Sequence, residues 1–545
     1  MLVRKAALSL AALALLAAAL PLAGPAAAAS AVYQAEDAAL TQASVATNHT
    51  GYTGSGFVDY VNTTGSAVQW SVTAAAAGPA TLTFRYANGT TVNRPMDVAV
   101  NGTTVAAGKA FGGTGSWDAW TDATVSVTLN AGTNTVRATA TTANGGPNVD
   151  KLTVSTQDSG GTGPAVPFGG HQFPYAAGTL RPSGTQATID QQVVTYYNRW
   201  KTAFVKQNCG NGWYEVISPD ADHPYVAEAQ GYGMVIVATM AGADANAKTI
   251  FDGMVKYMLA HPSVNNANLL AAEQDSSCKS VDGSDSATDG DLDVALGLLL
   301  ADRQWGSAGT YNYKDLAVKH INAIKASEVN PTTHLMRLGD WSTSGDSLYY
   351  VTRSSDWLVD HFRAFRKATG DTAWDTIRTA HQNLITSQQS TYAPNTGLLA
   401  DFVVNTNTTP KPAPGEVLED ANDGKYWWNA CRDPWRIGAD AVTSGDSASL
   451  ASARKINSWI KSKTGGNPDA IGTGYTLGGS QIDSGSEPAF FAPFAVAATT
   501  DPGSQAWLDE LWTKMLNTSF TSNDYYSTSI QLQVMIVVSG NYWLP

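Results

Sequence analysis

Cysteine is nearly absent: three occur in 545 residues, at positions 209, 278 and 431. So few cannot make a disulfide framework, and the fold must rest on hydrophobic cores, for which a 43% hydrophobic content suffices. One disulfide is expected, Cys209 with Cys278, because Cys431 sits in the apolar, aromatic segment YWWNACRDPWRI and reads as a buried thiol. Histidine is scarce as well. The eight histidines show no HExxH or paired spacing, so the sequence offers no catalytic transition-metal site. Basic residues are outnumbered, 33 against 46 acidic. An acidic surface disfavours nucleic acid and anionic membranes as partners and mildly attracts a cationic polymer. Beyond residue 30, no stretch approaches the ~18 unbroken apolar residues of a spanning helix.

The first thirty residues, MLVRKAALSLAALALLAAALPLAGPAAAAS, hold Arg4 and Lys5, an apolar run and an A-x-A pattern near Ala29. This is the pattern of a secretory signal peptide over residues 1–29, and a secreted, extracellular monomer is expected. What remains is long enough for two or three domains.

Residues 30–155 alternate apolar with polar, as in ATLTFRYANG (80–89), MDVAVNG (96–102) and ATVSVTLNAGTNTVRATAT (123–141). That period of two, broken by NG, AG and GG turns, predicts an antiparallel β-sandwich with no credible catalytic cluster. Residues 156–167, rich in Gly, Ser and Pro, read as a flexible linker. From 168 to 545 the spacing turns helical. In IDQQVVTYYNRWKTAFVKQ (189–207), Val193, Tyr197, Trp200 and Phe204 recur at three- and four-residue steps.

About twelve helices are predicted, starting near 189, 226, 245, 289, 313, 356, 371, 432, 446, 486, 504 and 524. If they pair into six hairpins closed as a ring, odd helices lie outside and even ones inside, so every even helix starts at one end of the barrel. Those starts carry Glu228, Asp289, Asp356, Arg432, Glu487, Tyr525 and Tyr526. Asp289 and Asp356 could alternatively be plain N-caps. Trp213, Trp341, Trp357, Trp427, Trp428 and Trp435 lie nearby in sequence. Carboxylates and arginine that bond hydroxyls, beside aromatic rings that pack on sugar faces, suit a polysaccharide cleft.

Four motifs, AEAQGYGM (227–234), SATDGDLDVALGLLLADRQW (286–305), VTRSSDWLVDHFRAF (351–365) and NACRDPWRI (429–437), make residues 168–545 resemble glycoside hydrolase family 8. The resemblance implies an (α/α)6 barrel and hydrolysis of β-1,4 glycans with inversion. It also implies Glu228 as proton donor and Asp289 as the residue that holds the distorted sugar. An apolar setting among Val226, Ala227, Ala229 and Met234 suits an acid that must stay protonated. The remaining candidates for substrate contact are Trp213, Tyr232, Asn429, Arg432, Asp356, Trp341, Trp357 and Trp427.

The base is where the chain departs from the commonest pattern of that family. Many members carry an aspartate three residues before the arginine of RxPWR, and here that position is Asn429, which cannot take a proton from water. The loop LLADFVVNTNTTPKPAPGEVLEDANDGKYWWNACR (398–432) resembles the insertion of the chitosanase and lichenase subgroup, whose base is a glutamate ten residues before the same asparagine. That implies Glu419, with Glu416 as fallback. Two acids of an inverting site stand roughly 6.5–9.5 Å apart. A second departure is Ala272, where relatives often place an aromatic platform. Substrates are expected in the order β-glucan of cellulose or mixed-linkage type level with chitosan, then xylan. The competing class is a catalytically inactive two-site polysaccharide-binding protein.

The β-domain resembles carbohydrate-binding modules of family 35 or 6 through VYQAEDA (32–38), YTGSGFVDY (52–60), GTGSWDAW (113–120) and GGPNVDKL (145–152). The resemblance implies sugar contacts at Trp120 and Asn148, with Arg94 added for an acidic ligand. It also implies a structural calcium held by Glu36 and Asp150, oxygen donors of the type calcium takes. No cofactor is expected for catalysis.

Overall fold

The computed structural model describes residues 30–74, 78–130, 132–156, 164–219 and 223–545. The leader expected over 1–29, and most of the linker, lie outside the described residues. The described chain falls into two compact units divided between Gly161 and Thr162. Val166, assigned to the linker by composition, belongs to the second unit: it is buried and exchanges backbone bonds with the Gln304 side chain.

The first unit contains β1 (Ser30–Gln34), β2 (Ala39–Thr41), β3 (Ala43–Ala46), β4 (Phe57–Tyr60), β5 (Ala67–Ala74), β6 (Gly78–Ala87), β7 (Met96–Val100), β8 (Thr103–Lys109), β9 (Thr121–Leu129), β10 (Gly132–Ala140) and β11 (Asn148–Thr156). They form two antiparallel sheets, β3-β4-β11-β6-β9 with β1 added to β11, and β2-β5-β10-β7-β8. Alternation sets which face is inside. In β9, every second residue from Ala123 to Leu129 is buried. The core between the sheets holds Trp70, Phe84, Phe111, Val136 and Leu152. The Asn-Gly pair of MDVAVNG closes the β7–β8 hairpin with both residues at positive φ, 52° and 82°, the geometry that favours this dipeptide.

The second unit is helical: α1 (Gln186–Phe204), α2 (Ala227–Thr239), α3 (Ala247–Ala260), α4 (Thr288–Trp305), α5 (Tyr313–Ser327), α6 (Val359–Thr369), α7 (Ala373–Thr391), α8 (Asp433–Ser444), α9 (Ser447–Lys463), α10 (Pro488–Phe491), α11 (Pro493–Thr499), α12 (Gln505–Asn517) and α13 (Tyr525–Val538). Ala492 between α10 and α11 keeps helical φ and ψ. The two pieces are thus one helix interrupted at Pro493, whose ring removes an N–H. Counted so, twelve helices among the described residues make the (α/α)6 barrel.

Burial separates the two rings. On α2, α4 and α13 nearly every residue is buried, whereas α1 and α9 bury one stripe. The glycines of the second and first motifs set the spacing of α2 and α4. A methyl on Gly290 would meet Ala227 at 2.6 Å, and one on Gly231 would meet the Gly290 carbonyl at 2.7 Å. Overlap of that kind costs about 1–3 kcal/mol. The close crossing brings the first turns of both helices, and so Glu228 and Asp289, to one place.

Cys209 and Cys278 form a disulfide, and Cys431 is a buried free thiol. Among the described residues, no helix is long and apolar enough to cross a membrane.

Candidate active site

Glu228 sits in the first turn of α2. Its Oε2 accepts from Arg432 Nη1 at 2.6 Å and its Oε1 from the Tyr525 hydroxyl at 3.1 Å. Burial, aided by the negative charge of Asp289, outweighs Arg432 and pushes the Glu228 carboxyl up to about 7. A carboxyl in that range is protonated at mildly acidic pH and suits a general acid.

Asp289 lies in the first turn of α4 but does not cap it. The N-cap is Ala287, with no side-chain bond. Burial would raise Asp289, but Arg353 and Arg432, each with Nη1 3.4 Å from its Oδ2, hold it below the usual carboxylate range. Two acids in neighbouring first turns are thus pushed apart, one kept protonated and one kept charged, the pattern of divided roles. Asp356 is no cap either. It is wholly buried in a turn of 3-10 helix ahead of α6, and burial pushes it up to about 7.

Arg432 is the hub. Its guanidinium donates to Glu228, Tyr232 (3.1 Å), Asp289, Ser355 (2.9 Å) and Asn429 Oδ1 (2.9 Å). A guanidinium has no acceptor, so the Asn429 oxygen must face Arg432 and its Nδ2 must point away. That Nδ2 donates to Glu419 Oε2 at 2.7 Å. Glu228, Arg432, Asn429 and Glu419 therefore form one unbroken chain of hydrogen bonds. Arg353 Nη2 stands 3.8 Å from Glu419 Oε1 and so bridges Asp289 and Glu419. Glu416 is exposed, and among the described residues no hydrogen bond joins it to this network.

Asp401 escaped the sequence reading. It is 1% exposed, and its carboxylate accepts from the N–H groups of Trp427 (2.9 Å), Asn429 (3.0 Å) and Ala430 (2.7 Å) and from Asn429 Nδ2 (3.3 Å). Burial pushes its carboxyl up to about 7, against the pull of those N–H groups. The residue explains why 429 is an amide: an aspartate there would crowd a third carboxylate between Asp401 and Glu419. Only the LLAD sequence before the long loop marked it.

A model of the glycosyl hydrolases of family 8 matches residues 176–540. The chain belongs to family 8. A β-glucanase of Niallia circulans is 45% identical over 382 residues, which span 70% of this chain and 92% of that one. An endoglucanase of Bacillus sp. (strain KSM-330) is 39% identical over 380 residues, 68% and 80% of the two chains. The apo structure of a β-1,3-1,4-glucanase from Paenibacillus sp.X4 has a TM-score of 0.67 and 44% identity, covering 70% of this chain and 99% of that one. The family 35 carbohydrate-binding module model matches residues 31–157. The protein is a family 8 endo-glycanase with such a module.

Three expected sugar contacts of this family 8 domain turn out to be internal. Trp357 is 2% exposed, bonds Thr352 through Nε1 at 2.9 Å and packs near His381. Its motif position faces the core, because the 3-10 turn before α6 rotates it inward. Tyr232 is wholly buried and serves to hold Arg432. Asp356 is likewise closed off. Trp213, Trp341 and Trp427 are half-buried and keep an accessible edge. Trp427 donates to Asp420 at 2.9 Å, which ties it to the loop of Glu419.

In the module, Arg94 is already engaged. It donates to Asn62 Oδ1 (2.9 Å), to the Asn144 carbonyl and to the Gly146 carbonyl (3.1 Å), with Trp117 over its guanidinium. Through Nη1 it braces the loop before β11. Trp120 is half-buried, its Nε1 bonded to the Thr50 carbonyl at 2.8 Å, and Asn148 is 4% exposed. Glu36 and Asp150 both face the turn at 53–55. Glu36 Oε1 accepts from Ser55 N at 2.7 Å while its buried Oε2 has no partner, as a cation ligand would. Asp150 is paired with Arg85 at 2.6 Å, so its charge is already balanced. Elsewhere among the described residues, ligand atoms of His223, Glu273 and Asp282 lie within 4.8 Å of one another, held in ion pairs.

Proposed function

We propose that the protein is a secreted, inverting endo-β-1,4-glucanase that cuts mixed-linkage or cellulose-type β-glucan, with Glu228 as general acid and Glu419 as general base. The observation that carries this reading is the bonded chain Glu228–Arg432–Asn429–Glu419, which fixes the two carboxyl groups relative to each other. Glu228 gives its proton to the glycosidic oxygen as the C–O bond breaks. Glu419 takes a proton from the water that attacks the anomeric carbon from the opposite face, and Asp289 holds the sugar in its distorted form. The relatives named β-glucanase, endoglucanase and β-1,3-1,4-glucanase support the substrate.

Chitosan is a second reading, favoured by one observation. Ala272 stands where an aromatic platform would be, its N–H bonded to the Asp285 carbonyl and its carbonyl to the N–H of Ala227, next to the acid. Burial raises the Asp285 carboxyl, and the charges of Asp340, Asp282 and Glu273 raise it further. A 2-amino sugar would relieve that crowding of negative charge. Parallel assays on barley-type β-glucan, carboxymethylcellulose, chitosan and xylan decide the substrate. Faster release of reducing ends from β-glucan than from chitosan is the expected result, and the reverse order would overturn it.

Activity should fall as pH rises through about 7, because Glu228 must enter the reaction protonated and its carboxyl is raised to that range. A kcat/KM profile on soluble β-glucan reads this limb directly, and Glu228→Gln should abolish it.

The module tethers the enzyme to polymer, and two sites on one chain raise the effective concentration at an insoluble surface. Glu36, with its partnerless oxygen, is proposed to hold a calcium ion there, with Asp150 joining it in exchange for its bond to Arg85. Added calcium should then raise the first unfolding transition of the full chain by a few degrees, an effect that Glu36→Gln removes.

A further inference from the structure

We propose that Asp423 is the positioning residue of the base: its buried carboxylate shapes the turn that presents Glu419. The inference rests on the reading of Glu419 as the base. Glu419 needs such help, because it stands on an irregular loop and its side chain is 41% exposed. A reacting group displaced by an ångström can lose about a hundredfold in rate.

Asp423 is 1% exposed. Its Oδ2 accepts from the backbone N–H groups of Val417 (2.8 Å), Leu418 (2.9 Å) and Glu419 (3.2 Å), and its Oδ1 from that of Asp420 (3.0 Å). Four successive amides therefore turn toward one carboxylate, and the third of them belongs to Glu419 itself. Among the described residues no lysine or arginine pairs with Asp423, and these four amides are its hydrogen-bond donors. The clamp is also tied to the site. The Asp423 carbonyl accepts from Phe402 N at 2.8 Å. Phe402 lies in a short strand that pairs with Thr352 and Arg353, the arginine that reaches Glu419. Phe402 adjoins Asp401, which fixes Asn429 at the head of the same glutamate. Asp423 thus holds the backbone of the base and Asp401, through Asn429, holds its carboxylate.

Asparagine at 423 keeps the volume but replaces one acceptor oxygen with a donor, which would face the loop's own N–H groups. The turn should open and Glu419 swing out of place, leaving room where it stood. A small carboxylate in solution could then act in its stead. The test measures kcat and KM on cellotetraose, Tm, and the response to sodium formate, for the full chain and for Asp423→Asn and Glu419→Ala.

Glu419→Ala should lose about a thousandfold in kcat, with formate restoring tenfold or more. Asp423→Asn should lose about ten- to a hundredfold in kcat, with KM within twofold, Tm nearly unchanged and activity likewise raised by formate. Asp423→Glu, which keeps the charge but overreaches by one methylene, should show the same pattern and serves if the amide variant does not fold. A kcat for Asp423→Asn equal to that of the parent, or a loss that formate does not relieve, overturns the inference while a formate-rescued Glu419→Ala leaves the base assignment standing. An undiminished kcat in Glu419→Ala overturns the base assignment itself.

Discussion

Glu228→Gln is expected to lower kcat on β-glucan by about a thousandfold, with little change in KM. The glutamine can keep the bond from Arg432 through its oxygen and donate through its NH2 to the Tyr525 hydroxyl, which can accept as well as donate, so the loss reports the missing proton and not a rearranged site. The discriminating control is an aryl cellobioside whose phenol is acidic enough to leave unprotonated. On that substrate the same variant should lose only about tenfold, because the acid's proton is no longer needed. Equal losses on both substrates would show that Glu228 binds or orients sugar and does not protonate it. Parallel rates with rising leaving-group acidity would point the same way.

Glu419→Gln should behave differently. The base acts on water whatever the leaving group, so a loss of about a thousandfold is expected on β-glucan and on the activated aryl cellobioside alike. Glutamine can still accept from Asn429 Nδ2, which stands 2.7 Å from Glu419 Oε2, and KM should hold. A variant that keeps its rate on both substrates would move the base elsewhere, with Glu416 on the same loop the fallback, and Asp401, fixed by four N–H bonds, and Asp420, bonded to Trp427, the other acids to substitute.

Much of this site was legible before any coordinates. The six-hairpin periodicity placed Glu228, Asp289 and Arg432 at one end of the barrel, and the structure joins all three through the Arg432 guanidinium. Glu419 came from the resemblance of its loop to that of the chitosanase and lichenase subgroup, and its side chain touches that of Asn429. Helix starts were readable because inner helices of a barrel are apolar all round and their polar first turns stand out. What stayed hidden was the support. Asp401 and Asp423 lie in a stretch with no period, and each matters through backbone N–H groups that gather around it only when the loop folds. A sequence lists side chains and says little about where such amides point. Two aromatics misled for the opposite reason: Trp357 and Tyr232 have the composition of a sugar platform, yet the turn before α6 and the close packing of α2 carry them into the core.

The proposed proton path from Glu228 to the leaving oxygen, with Glu419 driving water from the other face, has one stereochemical consequence. Proton NMR of β-glucan oligosaccharide cleavage at high enzyme concentration reads it before mutarotation intervenes. The account predicts that the α-anomer at the new reducing end appears first and the β-anomer follows only by equilibration. First appearance of the β-anomer would mean retention, a covalent intermediate, and a role for Glu419 other than base.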